Sequence, residues 1–306
     1  RSVARAVARL RSCCSDERVE EVRSDVEALA ARAPFNDTRR SGPCVGWSAR
    51  GLAPAPRDES CDEVLSRIFE VEPSHALRRI PGRTTFAWPA DPEVVVKRYT
   101  VAPLGDAFHD WRTLGHARSS ARREAENLRE LAAGGWPVPR VFGWCEEART
   151  FPLVRGARSA LWMERVAHRE TLRQACERAP RESIERWSTH LAALVARLHD
   201  AGWFHRDLYL EHWIVAGDRL VLLDVGRARR EAEPRVRWFV KDVAALQHSC
   251  PAGVAPRARL RFLAAYLNGR NIVARGSRRD FARAVLAKAR RIAAHEPRFV
   301  DLGARP

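Results

Sequence analysis

The tightest constraint in this sequence is a pair of aspartates, Asp207 and Asp224. They stand on either side of two short apolar runs, "HWIVAG" and "LVLLDVG", which a Gly217-Asp218 turn separates. A hairpin of that length folds the chain back and brings both carboxylates to one edge. The run Leu220-Val221-Leu222-Leu223 buries its strand and leaves Asp224 at the rim, and Gly226 lets the chain turn sharply there. Two carboxylates so placed suit phosphoryl transfer. One accepts or orients the proton of an acceptor hydroxyl, and the other holds Mg²⁺ against nucleotide phosphates. Asp207 is the candidate for the first role and Asp224 for the second.

The rest of the chain supplies a matching frame. From Ser74 onward, "ALRRIPGRTTFAW" and "EVVVKRYTV" read as two strands joined through Pro89-Ala90-Asp91-Pro92. "ARSSARREAENLRELAAGG" reads as the one helix inserted in this block, stopped by Gly134-Gly135. "VPRVFGWCEE" and "ARSALWMERVA" read as further strands. Beyond about residue 168 helices dominate; one carries Leu191, Leu194, Val195 and Leu198 at helical spacing, and at least three more follow residue 236. The expected fold class is therefore α+β, a small sheet-rich lobe followed by a larger helical one, with a ligand cleft between them. Residues 1–32 read as a basic helix with Val3, Val7 and Leu10 on one face, suited either to an anionic membrane surface or to packing on its own domain. Residues 33–62 read as loop or linker. This gives an extension over 1–70 and a main domain over 71–306, its lobes meeting near residue 166.

Charge narrows the partners without choosing one. The 306-residue chain carries a formal net charge of +16, which favours anionic ligands. Of its 54 basic residues only Lys97, Lys241 and Lys288 are lysines, so each lysine stands out chemically. The seven cysteines are scattered without a CxxC pair, which points away from zinc and disulfide frameworks and toward a reducing cytosol. No apolar run reaches the ~18 residues of a membrane span, and no signal peptide is visible.

"HRDLYLEHW" and "LLDVG" resemble the catalytic loop and magnesium motif of the protein-kinase superfamily. That superfamily places Asn five positions after the catalytic Asp; here the place is held by His212. His there, with the later "RVRWFVKDVAALQHS", resembles the lipopolysaccharide kinase (Kdo/WaaP) family over about residues 75–270. The resemblance implies ATP and Mg²⁺ as cofactors, with Asp224 and His212 toward the metal. It implies that Lys97 contacts the α- and β-phosphates and pairs with Glu124, with Glu126 and Glu130 as competitors on the same helix. Backbone donors of the glycine-poor stretch from Gly82 to Thr85, Gly82 and Thr84 foremost, would cover phosphates, and the backbone from Glu164 to Val166 would meet adenine. His205, Arg206 and Asp242 would support the catalytic loop.

The implied activity is phosphorylation of a sugar hydroxyl, heptose or Kdo, of the lipopolysaccharide inner core. The implied setting is cytoplasmic and peripheral to the inner membrane. Arg227, Arg229, Arg230, Arg235 and Arg237 would face the anionic glycolipid acceptor or simply form a solvated loop. Other kinases of the same fold and a pseudokinase scaffold stay open as alternatives, since Mg²⁺ prefers oxygen ligands to His212. A nucleic-acid binder is a third class, but no recognition-helix or RNP-like motif supports it.

Overall fold

The computed structural model describes residues 39–41, 44–48, 59–73, 76–149, 153–167, 170–270 and 278–294. Seven antiparallel strands come first: β1 (Arg39–Ser41), β2 (Cys44–Ser48), β3 (Ala76–Ile80), β4 (Arg83–Trp88), β5 (Asp91–Tyr99), β6 (Val141–Glu147) and β7 (Ser159–Glu164). Their order in the sheet is β1-β2-β6-β7-β5-β4-β3. Three helices belong to this part: α1 (Cys61–Glu70), α2 (Leu104–Leu114) and α3 (Ser120–Ala133). Then come α4 (Leu172–Arg178), α5 (Arg181–Asp200), β8 (Trp203–Phe204), β9 (Trp213–Ala216), β10 (Arg219–Leu222) and β11 (Arg229–Arg230), with α6 (Val236–Ser249), α7 (Pro256–Gly269) and α8 (Arg278–Ala293) behind them. The expected sheet-rich lobe followed by a helical one is the arrangement found.

β5 shows how the sequence sets the two faces of the sheet. Successive strand side chains point to opposite sides. Val94 and Val96 lie with Phe86, Phe142 and Trp162 in the core that α1 covers with Val64, Leu65 and Ile68. Val95 and Tyr99 lie in the other core, with Ala121, Ala125 and Leu128 of α3. Burying each such large side chain stabilises the fold by about 1.5–3 kcal/mol. Lys97 shares the α3 side by the same alternation. Arg98 takes the α1 side, where it donates to the carbonyls of Ile68, Phe69 and Val71 at 3.4, 3.3 and 2.8 Å and so caps the C-terminus of that helix.

Three expectations change. Residues 39–41 and 44–48 are strand, not linker: β2 pairs with β6 in register, Gly46 opposite Cys145, and α1 lies over the same sheet. Gly46 marks a close approach, because a Cβ on it would stand 2.6 Å from the Trp144 carbonyl oxygen. The stretch from Ala76 to Trp88 is two strands, broken at Pro81-Gly82, where Gly82 has φ 79°. The block also holds two helices where one was expected. In α2 the amphipathic pattern is inverted: Asp106, Ala107 and Asp110 are buried while Phe108, Trp111 and Leu114 are exposed. The helix expected over residues 1–32 lies outside the described residues.

Candidate active site

Alternation along β5 puts Lys97 and Tyr99 against α3, and both converge on one carboxylate. Lys97 Nζ donates to Glu124 Oε1 at 2.5 Å, and the Tyr99 hydroxyl donates to Glu124 Oε2. All three groups are buried. Burial and the adjacent Glu124 push the Tyr99 phenol well above its ordinary pKa, which keeps it a donor. The competitors on α3 are engaged elsewhere: Glu126 accepts from Arg118 and Arg122, and Glu130 from Arg230. Gly226 explains how Asp224 comes so near. A Cβ there would sit 3.3 Å from Glu124 Oε2, and its φ is not positive, so within the 3₁₀ turn Val225–Arg227 it is the close approach that calls for glycine. Asn127, one turn beyond Glu124, donates to the carbonyls of Val225 and Ala228 at 2.8 and 2.9 Å and fastens the same segment to α3.

Asp224 itself is at φ 57°, in the left-handed region. Its Oδ1 accepts Arg83 Nη1 at 2.8 Å and lies 3.5 Å from Lys97 Nζ; Arg78 and His212 Nε2 each stand 3.7 Å from Oδ2. Burial would raise this carboxyl, but Lys97, Arg83 and His212 together hold it well below the carboxylate range. The site is therefore anionic at Asp224 and cationic around it, an arrangement that accepts a metal ion on the carboxylate and polyphosphate on its neighbours. His212 Nδ1 lies 2.8 Å from the Asp207 carbonyl, an acceptor, so that nitrogen carries the hydrogen. Nε2 is then the nitrogen that faces Asp224: carrying a hydrogen it adds to the cations around that carboxylate, and without one it offers a lone pair to a metal ion there. Among the described residues no cluster of three or more His, Cys, Asp or Glu side chains forms a metal site. One carboxylate and one imidazole fit an ion whose other ligands are phosphate oxygens and water.

Asp207 belongs to the loop that leads into the hairpin. Its Oδ2 accepts Arg227 Nη1 at 2.6 Å, and Lys241 Nζ lies 3.6 Å from Oδ1. The loop before it is held from α6: Asp242 accepts the His205 and Arg206 backbone N–H groups at 2.6 and 2.7 Å. His205 Nε2 reaches the Leu223 carbonyl at 3.3 Å and ties the two motifs together. Arg206 has φ 73°, a strained position for a residue with a Cβ, and its guanidinium donates to Asp106 Oδ1 at 2.7 Å. Burial would raise the Asp106 carboxyl, but Arg206, with Arg123 and Arg229, brings it down to about 2.

The remaining expected positions fare differently. Thr84 is flanked by Arg79 on β3 and Arg98 on β5, so its backbone belongs to the ladder. The Gly82 carbonyl accepts Thr100 N–H at 3.0 Å. What this turn presents to Asp224 is a side chain, Arg83, not a row of backbone donors. The Glu164 N–H goes to the Arg140 carbonyl at 2.8 Å and the Arg165 N–H to that of Glu93 at 2.7 Å. Those two donors are engaged, and any base contact by Glu164 would use its carbonyl; Val166 lines a neighbouring cavity of about 670 Å³ with Glu93, Arg165 and Val215. Of the five arginines after Asp224, Arg227 reaches Asp207, Arg229 reaches Asp106, Arg230 reaches Glu130, and Arg237 lies over the Trp238 ring. Sequence reasoning missed Arg83, Tyr99, Asp106 and Asn127. Tyr99 alone carried a local signal, since it lies two residues after Lys97 on one strand face.

With this geometry in place, the comparisons are specific. Residues 78–266 match the family model described as "Lipopolysaccharide kinase (Kdo/WaaP) family". The lipopolysaccharide core heptose(I) kinase WaaP of Pseudomonas aeruginosa (strain PAO1) is 38% identical over 101 residues, which cover 29% of this chain and 37% of that protein. The chain thus spans little more than a third of that curated relative in the match. Among solved structures, WaaP in complex with acyl carrier protein aligns with a TM-score of 0.54 and 25% identity, over 75% of this chain and 91% of that one. The fold is protein-kinase-like, as the sequence motifs implied.

Proposed function

The chain belongs to the lipopolysaccharide kinase (Kdo/WaaP) family, and from that footing we propose that it transfers the γ-phosphate of ATP to a heptose or Kdo hydroxyl of the lipopolysaccharide inner core. The observation that carries this is the convergence of Lys97, Glu124 and Asp224, with the loop that bears Asp207 tied to the same end of the hairpin through His205 and Leu223. Lys97, held by Glu124, aligns the nucleotide phosphates, and Arg83 adds a second cation there. Asp224 and His212 would hold Mg²⁺, which supplies charge neutralisation for the transferring group. Asp207 orients the acceptor hydroxyl and takes its proton as the hydroxyl oxygen bonds to phosphorus and the bond to the β-phosphate oxygen breaks, releasing ADP. Arg227 and Lys241, beside Asp207, face the anionic acceptor. Burial lowers the Lys241 pKa, against the raising effect of Asp207.

Asp207→Ala tests this reading. Transfer from Mg-ATP to a heptose- and Kdo-bearing lipid A should fall by about 10²–10⁴-fold, with an unchanged circular dichroism spectrum. Turnover retained near the wild-type rate would sink the role of Asp207.

A specific observation favours a second reading about partners. One solved relative is WaaP in complex with acyl carrier protein. In this chain an apolar cavity of about 340 Å³ lies among the C-terminal helices, lined by Leu172, Trp187, Leu191, Leu246, Leu263 and Val285. It has the character of an acyl-chain site. Co-elution with an acylated carrier protein but not with its unacylated form would support that partnership, and no co-elution with either would end it.

A further inference from the structure

We propose that Asp106 is a positioning residue for catalysis: a permanent carboxylate that holds both motif segments in place, as an added phosphate does in kinases whose loops are ordered by phosphorylation. The inference rests on the reading of Asp207 and Asp224 given above. Its basis is one buried oxygen. Asp106 Oδ1 accepts Arg206 Nη1 at 2.7 Å and Arg229 Nη2 at 2.6 Å. Arg206 immediately precedes Asp207, and Arg229 lies shortly after Asp224. One side chain on α2 therefore gathers the loop that carries the base and the segment that follows the metal residue. Both bonds are charge-assisted, the strong class of hydrogen bond, and Asp106 is only 5% exposed.

The rest of α2 is built to deliver that carboxylate. Asp110, one turn on, accepts both Arg118 and Arg123 at 2.8–3.1 Å, which pins the inward face of the helix to the start of α3. The apolar side chains point outward, so ion pairs rather than apolar burial seat this helix. Arg206 needs such an anchor. Its backbone is in the left-handed region, and Asp242 on the N–H and Asp106 on the guanidinium hold it there, with the Trp238 ring 5.8 Å from the guanidinium carbon. Without Asp106, two guanidinium groups would be left facing each other with no anion between them, a costly arrangement. Each would then have reason to move, and each is joined by a few backbone bonds to a carboxylate of the site.

The test is amide hydrogen exchange on the full chain with Asp106→Ala, read together with transfer kinetics. Exchange should rise by at least about tenfold at residues 204–208 and 225–230 and stay unchanged in α7 and α8. Transfer should show kcat reduced by at least about tenfold with KM for ATP within about twofold, because Lys97 and Glu124 are untouched. Added formate, which fits the gap left by the carboxylate, should restore protection in the variant and do nothing to wild type. Unchanged exchange at both segments overturns the proposal, as does uniform loss of protection across the fold or formate without effect. If Asp106→Ala does not fold, Arg229→Gln keeps the idea exposed: it should loosen 225–230 alone, and no loosening there overturns it. Asp207→Asn separates the two readings. Transfer retained in Asp207→Asn removes the catalytic assignment, while the exchange result for Asp106 still stands or falls by itself.

Discussion

At the scale of single residues, the site divides by sequence distance. Lys97, Asp207, Asp224 and Gly226 were legible because each sits in a short motif whose neighbours constrain it. Arg83 was not, because its partner Asp224 lies 141 residues away and nothing local in "PGRTTF" marks it. Gly226 was read as a turn residue, and the chain does turn there, but a one-dimensional pattern cannot show that Glu124 lies against it. Two substitutions follow. Gly226→Ala puts a methyl 3.3 Å from Glu124 Oε2, so either α3 or the motif must give. Loss of a Lys97–Glu124 contact that acts in the transition state costs about 2–3 kcal/mol, and kcat should drop by about 30–150-fold with the melting temperature nearly unchanged. A variant as active as wild type would show that the close packing has no bearing on transfer. Arg83→Ala should instead raise KM for ATP by roughly tenfold with a smaller change in kcat, the signature of lost ground-state binding. An unchanged KM would place Arg83 outside the nucleotide contacts and leave it a cap on Asp224.

At the scale of elements, periodicity found what buries apolar surface and missed what does not. Helices α3 and α5 were legible from their apolar spacing and glycine stops; α2 was not, because ion pairs seat it and its apolar side faces outward. The strands β1 and β2 are short, and β2 contains Gly46, so their role in the sheet shows only in the pairing with β6. That pairing, with α1 over the adjacent face, makes a direct test of whether residues before 71 are dispensable. Leu65 is fully buried with Phe86, Val96 and Trp162. Leu65→Ala should lower unfolding stability by about 2–5 kcal/mol. ATP affinity should hold, because α1 covers the sheet face opposite Lys97. Denaturant titration decides the first point and nucleotide binding the second; a stability change under about 0.5 kcal/mol, the range of surface substitutions, would mean that α1 is an accessory to the sheet.

At the scale of the whole molecule, the loop that bears Asp207 is joined to the interior of the helical lobe through a continuous hydrogen-bond path. Tyr266 on α7 meets His199 Nδ1 at 2.7 Å, and His199 Nε2 on α5 faces Asp242 Oδ2 at 3.4 Å. Asp242 on α6 accepts the backbone of His205 and Arg206. Since Asp242 can only accept when ionised, Nε2 carries the ring hydrogen and the Tyr266 hydroxyl donates to Nδ1. The neutral imidazole is thus satisfied on both sides. Burial holds the His199 pKa below the ordinary 6.5, outweighing the opposing pull of Asp242. In the unfolded chain the same group titrates near 6.5, so between its folded pKa and 6.5 the unfolded state binds more protons. Stability is then full above 6.5 and falls as pH drops below it, by at most about 1.4 kcal/mol per pH unit for this one group. His205, also buried with a lowered pKa, acts with the same sign. The carboxylates Asp106 and Asp224, with depressed pKa values, lose their contributions only at lower pH. Urea midpoints should therefore be flat from about pH 7 to 8 and decline from about 6.5 to 5. His199→Gln, whose amide can donate to Asp242 and accept from Tyr266, should be less stable at pH 7.5 yet lose less on acidification. Parallel pH curves for the two proteins would show that His199 changes its protonation equally in both states and that the path from Tyr266 to the Asp207 loop does not sense acid through it.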